Sequence, residues 1–254
     1  MKIYLPAAIV TCIGLSNPVR AGAAEIALIG PGGIRAAATQ LIAAFEKATG
    51  HKVNATFGSG GGTKQRVIDG EIFDVPIVQL PLEPVLASGH VVAASETPLA
   101  TVAVGIAVRS GAPKPDIANA DAVKRLLLGA KAIAYPNAAT GAAAGVSFNE
   151  TLQKLGIAEA MKAKIKIAQG GRGAMELLAQ GEVDFGLTFI SEIITEPGVE
   201  LVGPLPRDIS RPEALVGFIS AHTKEPDTAR ALLRFLSSPD AAKVYQQRGM
   251  QAGR

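Results

Sequence analysis

Five short stretches of small residues could hold a ligand through the backbone rather than through side chains. They are Gly30-Pro31-Gly32-Gly33, Gly58-Ser59-Gly60-Gly61-Gly62-Thr63, Asn137–Gly141, Gly170-Gly171-Arg172-Gly173 and Thr188–Ser191. Glycine lets another molecule approach the main chain closely. Where such a turn opens a helix, free N–H groups and the positive dipole end attract anions. Cations stand beside three of these turns: Arg35, Lys64 and Arg172. A guanidinium suits bidentate recognition of a carboxylate, and an ammonium acts as a point charge. Other chemistries fail on spacing. In the Gly58–Lys64 run, Gly62 is followed by Thr63 and Lys64 by Gln65, so it is not a phosphate loop. Gly145-Val146-Ser147-Phe148-Asn149 lacks the final glycine of a nucleophile elbow. His51, His90 and His222 are far apart in sequence and show no metal-ligand spacing, so no metal is expected, and nothing calls for a cofactor.

These turns need elements to hold them. Short apolar runs alternate with helical stretches along the chain. Strands are expected at 25–29, 52–57, 73–78, 101–108, 132–135, 164–168, 184–189, 199–202 and 215–220. Helices are expected at 36–49, 64–69, 121–128, 145–155, 174–179, 191–195, 226–236 and 240–248, with a further short one ending near Gly89. Strand–helix alternation predicts parallel sheets with helices on both faces. In such sheets ligands sit beyond the carboxyl ends of the strands, where the five turns fall. The long strand 101–108 marks the natural boundary between two lobes, with a return crossing near 200–217. The expected division is 24–103 for the first lobe, completed by about 218–254, and 104–217 for the second.

Composition narrows the partners. The chain has 254 residues, 48% hydrophobic and 19% charged, which excludes disorder as its overall state. A net charge of +3 is too mild to imply nucleic acid. There is no Trp, and aromatics are 4%, so stacking platforms are scarce. Residues 1–23 read as a secretory signal. Lys2 precedes an apolar run from Ile3 to Leu15, Asn17-Pro18 breaks it, and Ala21-Gly22-Ala23 fits a small-x-small cleavage site. Its removal takes Cys12, the only cysteine, so stability in an oxidising compartment would rest on core burial alone. An exported, periplasmic monomer is expected.

Several segments together carry a family likeness. Glu25–Gly33 and the following Phe45-Glu46-Lys47-Ala48-Thr49-Gly50 resemble the start of bacterial periplasmic molybdate-binding proteins. Lys52–Ser59, Thr151-Leu152-Gln153-Lys154-Leu155-Gly156, Gly171-Arg172-Gly173-Ala174 and Ser237-Ser238-Pro239-Asp240-Ala241-Ala242 match the same family. The resemblance implies an α/β, two-lobed type II periplasmic binding-protein fold whose lobes are joined by crossover strands. It implies a small anion as ligand and an ABC transporter permease as partner.

Carried across residue by residue, the family's first-loop serine falls at Gly33. Its second-loop serine is Ser59, or is lost if Gly60 is the equivalent, with Thr63 in the same loop. Backbone donors fall at Gly141 and Gly171. The family's ligand tyrosine falls at Phe189, which has no hydroxyl. Side-chain donors for a tetrahedral oxyanion are therefore reduced, while Arg35, Lys64 and Arg172 add positive charge. Arg35 and Lys64 are alternatively solvated helix-start residues, and Arg172 alternatively a structural link between loops. A polycarboxylate is favoured over a molybdate-type oxyanion. Proteins resembling this family also include aconitate isomerases, and an adhesin on the same scaffold is a further alternative. If the chain isomerises aconitate, the candidate proton carriers are Lys64, Tyr135 and Glu192. Binding is preferred to turnover because no catalytic motif is present.

Overall fold

The computed structural model describes residues 22–253. Apart from Gly22 and Ala23, the expected signal segment lies outside the described residues. In chain order the elements begin with β1 (Glu25–Pro31), α1 (Arg35–Thr49), β2 (Lys52–Gly58), α2 (Gly60–Ile68), β3 (Val75–Gln79) and α3 (Glu83–Ala87). Then come β4 (Thr97–Val102), β5 (Val104–Arg109), α4 (Ala120–Gly129), β6 (Ile133–Pro136), α5 (Ala143–Lys154) and α6 (Ala158–Met161). The chain continues through β7 (Ile165–Ala168), α7 (Gly170–Ala179), β8 (Phe185–Phe189), α8 (Ile190–Ile193) and β9 (Val199–Pro204). It ends with β10 (Glu213–Gly217), α9 (Pro226–Leu236), α10 (Pro239–Gln247) and β11 (Gln251–Ala252).

The strands form two sheets, in the orders β11-β4-β10-β3-β1-β2 and β7-β6-β8-β5-β9. The chain passes from the first to the second at Ala103, between β4 and β5, and returns after β9. The expected single strand at 101–108 is thus two strands that belong to different sheets. The sheets are also mixed rather than parallel. β1 runs parallel to β2 and β3, and β6 to β7 and β8, but β10 is antiparallel to β3 and β4, and β5 to β8 and β9. The reason is the crossover. A strand that leaves one sheet and enters the next does not return through a right-handed βαβ unit, so it is free to pair antiparallel.

Local sequence explains the elements nearest the cleft. β3 is buried at every position, as a strand covered on both faces must be. α1 buries Ala37, Ala38, Leu41, Ile42 and Phe45, one face at helical spacing, and Gly50 ends it with φ 79°. α9 buries Ala229, Leu232, Leu233 and Leu236, and it packs on α1 together with α10. Phe45 and Phe235 meet edge to face at 5.6 Å across that contact. Each Leu so buried contributes about 1.5–3 kcal/mol. One apolar cluster runs from Ile26 and Leu28 through Val102 and Val104 to Phe148 and Leu187, so the crossover strands share a core with both sheets. Among the described residues no helix is long and apolar enough to cross a membrane.

Two helices start four residues earlier than the sequence predicts. α2 begins at Gly60 and α7 at Gly170, because glycine is a poor interior helix former but is tolerated in a first turn. The consequences for the site are large.

Candidate functional site

A cleft of 660 Å³ lies between the sheets, walled by the loops after β1, β2 and β3 on one side and after β6, β7 and β8 on the other. Four of the five small-residue turns contribute two or more residues to it, with Gly32, Gly33, Ser59, Gly60, Gly170, Gly171, Phe189 and Ser191 in its wall. The fifth, Asn137–Gly141, contributes Thr140. α5 and α7 open on the cleft with no side-chain cap at Ala142 or Gln169. By contrast, Asn119 caps α4 and Ser238 caps α10. The first N–H groups of an uncapped helix have no partner within the helix, so they are donors available to an anion.

α2 behaves differently, because its first turn is already used. Ser59 Oγ accepts from Gly62 N–H at 3.1 Å and donates to the Thr140 carbonyl at 3.1 Å. Gly61 N–H donates to the Gly141 carbonyl at 2.9 Å. These bonds join the two lobes across the mouth of the cleft. A third link lies deeper, where Ser191 Oγ donates to the Gly33 carbonyl at 2.7 Å. Space there is tight. A Cβ on Gly60 would overlap the Gln79 amide and approach Ala143 Cβ to 3.1 Å, and a Cβ on Gly171 would overlap the Glu192 carboxylate.

Charge in the cleft has both signs. Arg35 lines it from the start of α1, donates to the Phe57 carbonyl at 3.3 Å and lies over the Phe57 ring at 5.6 Å. Arg172 lines the opposite wall with an exposed side chain, pairs with Glu176 at 2.9 Å and lies 4.0 Å from Glu196. Glu192 projects from α8, and its carboxylate accepts from Thr188 Oγ1 at 2.5 Å. Burial pushes the Glu192 carboxyl above the ordinary range. The Thr188 hydroxyl, the Phe189 backbone and the Arg35 charge pull it down, and Glu196 pushes it further up, with burial dominant. A carboxyl raised in this way can hold a proton and release it.

The sequence-predicted residues divide into three groups. Gly33, Arg35, Ser59, Gly60, Gly171, Arg172, Phe189 and Glu192 line the cleft together. Gly141 instead forms the contact between lobes with Gly61. Lys64, Thr63 and Tyr135 are not among the lining residues. Lys64 donates to the Pro81 carbonyl at 3.0 Å, and partial burial lowers its pKa, with Glu213 and Glu83 opposing that shift. The early start of α2 puts Lys64 in the second turn, away from the helix opening. Thr63 is buried and donates to the Gly30 carbonyl at 3.3 Å, tying α2 to β1. Tyr135 is buried against Phe148, with its hydroxyl donating to Asn149 at 2.6 Å, and burial raises its pKa.

Sequence reading missed Gln79. It is 3% exposed at the end of β3, it lines the cleft, and neither Nε2 nor Oε1 has a hydrogen-bond partner. Two histidines distant in sequence meet in the fold. His90 Nδ1 and His222 Nε2 lie 2.7 Å apart, brought together by the return of the chain to the first sheet. No third ligand joins them, and no group of three metal-ligating side chains occurs among the described residues.

Comparison with known proteins agrees with this architecture. The chain matches the bacterial extracellular solute-binding protein family over residues 26–251. It is 33% identical over 233 residues to an aconitate isomerase of Pseudomonas sp., covering 89% of this chain and 87% of that protein. It is 29% identical over 248 residues to the molybdate-binding protein ModA of Rhodobacter capsulatus, covering 91% and 96%. The periplasmic molybdate-binding protein of Azotobacter vinelandii superposes with a TM-score of 0.73 at 21% identity, covering 89% of this chain and 98% of that one. The chain belongs to the bacterial extracellular solute-binding protein family, in the type II group that resembles molybdate-binding proteins and includes aconitate isomerase.

Proposed function

We propose that this protein is exported to the periplasm, where it captures a small organic anion carrying two or three carboxylates. The observation that carries the proposal is the 660 Å³ cleft, onto which uncapped helix starts open. That volume suits a small organic molecule and is several times larger than one tetrahedral oxyanion needs. Arg35 and Arg172 stand on opposite walls, which fits separated carboxylates better than one central charge. Phe189, which the resemblance puts where the family has a ligand tyrosine, lines the cleft with a ring that cannot donate. The bound anion accepts from the N–H groups at the starts of α5 and α7 and from Gly33 and Gly60. Delivery to an ABC permease follows from the family. Calorimetry with trans-aconitate, citrate, molybdate and sulfate tests this. Tight molybdate binding with no response to either polycarboxylate would refute it.

One observation favours turnover as a second reading. Glu192 places a carboxyl with a raised pKa in the cleft, and a relative that shares a third of its residues is an aconitate isomerase. Moving the aconitate double bond requires loss of a methylene proton and its return at the other end of the allylic system. A single carboxyl can do both if its pKa lies near the working pH. Lys64 and Tyr135, held outside the cleft by Pro81 and Asn149, do not compete for this role. Incubation with trans-aconitate in D2O decides. Turnover gives cis-aconitate, with deuterium in the methylene group to the extent that the carried proton exchanges with solvent before its return, and Glu192→Gln abolishes it. A wild-type protein that binds trans-aconitate and leaves it unchanged is a binding protein only.

A further inference from the structure

We propose that Gln79 is a ligand-recognition residue that donates its amide N–H to the bound anion and so makes closure of the lobes depend on the ligand. This rests on the anion reading above and adds the residue that senses occupancy. Three observations support it. Gln79 ends β3 at the carboxyl edge of the first sheet, where cleft loops begin. Its side chain is almost wholly buried, yet both amide atoms lack partners, which is rare for a buried polar group. Its Oε1 end is held over Gly60, in the space a side chain there would fill. The Nε2 end, a donor of two protons, is left without an acceptor. An anion in the adjoining cleft offers acceptors and no competing donors.

The surroundings link this bond to closure. Gly60 covers the amide from its own lobe, and Ala143 approaches from the other, 3.1 Å from the position a Gly60 Cβ would take. Closure over an empty cleft therefore seals an amide that water satisfies when the lobes are apart. Closure over an anion gives its Nε2 end a partner. An unpaired buried N–H is costly, whereas a paired one is close to neutral, so the empty closed form is disfavoured relative to the filled one.

The test uses Gln79→Met, which keeps the length and bulk of the side chain and removes the amide, and Gln79→Glu, which turns a donor into an anion. Affinities for trans-aconitate, citrate and molybdate are measured by calorimetry. The radius of gyration without ligand is measured by X-ray scattering. For whichever probe the wild type binds, Gln79→Met should bind at least about tenfold more weakly, in line with loss of a hydrogen bond to a charged group, and Gln79→Glu more weakly still. Ligand-free Gln79→Met should be more compact than the ligand-free wild type. A side chain that only supports the fold would lower the melting temperature of Gln79→Met and leave affinity and compaction unchanged, and that result overturns the proposal. If the wild type binds none of the three probes, the anion reading fails and this inference fails with it. If the wild type binds a probe and Gln79→Met binds it equally well, only the inference fails.

Discussion

Gly61→Ala separates closure of the cleft from stability of the fold. Gly61 sits in the first turn of α2, and its N–H donates across the cleft mouth to the Gly141 carbonyl at 2.9 Å. A Cβ there would stand 3.0 Å from Gly141 Cα and 3.2 Å from its carbonyl oxygen, so the two backbones must move apart. Loss of that hydrogen bond costs about 1 kcal/mol of closed-state stability. The Ser59 bond to Thr140, 3.1 Å and two residues away, loosens with it and brings the total to about 2 kcal/mol. If the ligand is held in the closed form, the dissociation constant rises about 30-fold. Within its own lobe the substitution is favourable, since alanine suits a helix better than glycine by up to about 1 kcal/mol. The ligand-free melting temperature should therefore hold or rise while affinity falls. Calorimetry with trans-aconitate, together with thermal unfolding of the ligand-free protein, reads both quantities. An unchanged dissociation constant would show that the loops do not close over the ligand in this way.

Further expectations concern charge and packing. The Glu192 and Glu213 carboxyls are both raised by burial, so the folded chain keeps protons that the unfolded chain releases above the ordinary value of 4.5. Stability from these two groups therefore declines as pH climbs from 4.5 through their raised values. Urea midpoints across that range should fall less steeply for Glu192→Gln than for wild type. Arg172→Ala should change unfolding stability by less than about 0.5 kcal/mol, because its ion pair is exposed, yet weaken trans-aconitate binding at least about fivefold by removing a cleft cation. Lys64→Ala should leave that affinity within about twofold, as expected for a site outside the cleft, and calorimetry compares the two variants directly. Phe148→Ala removes a fully buried ring that meets Tyr135 at 4.9 Å, and should cost about 3–5 kcal/mol by chemical denaturation.

Much of the cleft was legible because glycine has few other reasons to cluster where strands give way to helices. Gly33, Gly60 and Gly171 could be placed at the site from order alone. Lys64 could not, because Gly60–Thr63 before it read as a turn, and their folding into helix moves Lys64 down by about one turn. The strand at 101–108 reads as one apolar run, since Ala103 is no less apolar than its neighbours and nothing local marks the change of sheet. Gln79 ends the run Val75-Pro76-Ile77-Val78, where a polar residue normally signals the surface. Its burial depends on Gly60 and Ala143, which are distant in sequence. The pairing of His90 with His222 depends in the same way on the return of the chain to the first sheet.

The junction at Ala103 sets the phase between the two halves of the site. β4 ends at Val102 and β5 begins at Val104, so one residue separates strands of different sheets, and the Ala103 carbonyl also accepts from Ile190 N–H at the start of α8. Along an extended chain each added residue reverses the side on which the next side chain lies. Inserting or deleting one residue here would leave each lobe with its own sheet and helices, but would turn the second lobe's loops out of step with the first. The two half-sites would persist, each folded and neither facing the other. Chain length at this point therefore matters as much to recognition as any side chain in the cleft, whereas loops on the far side of either lobe can change length without changing what the cleft sees.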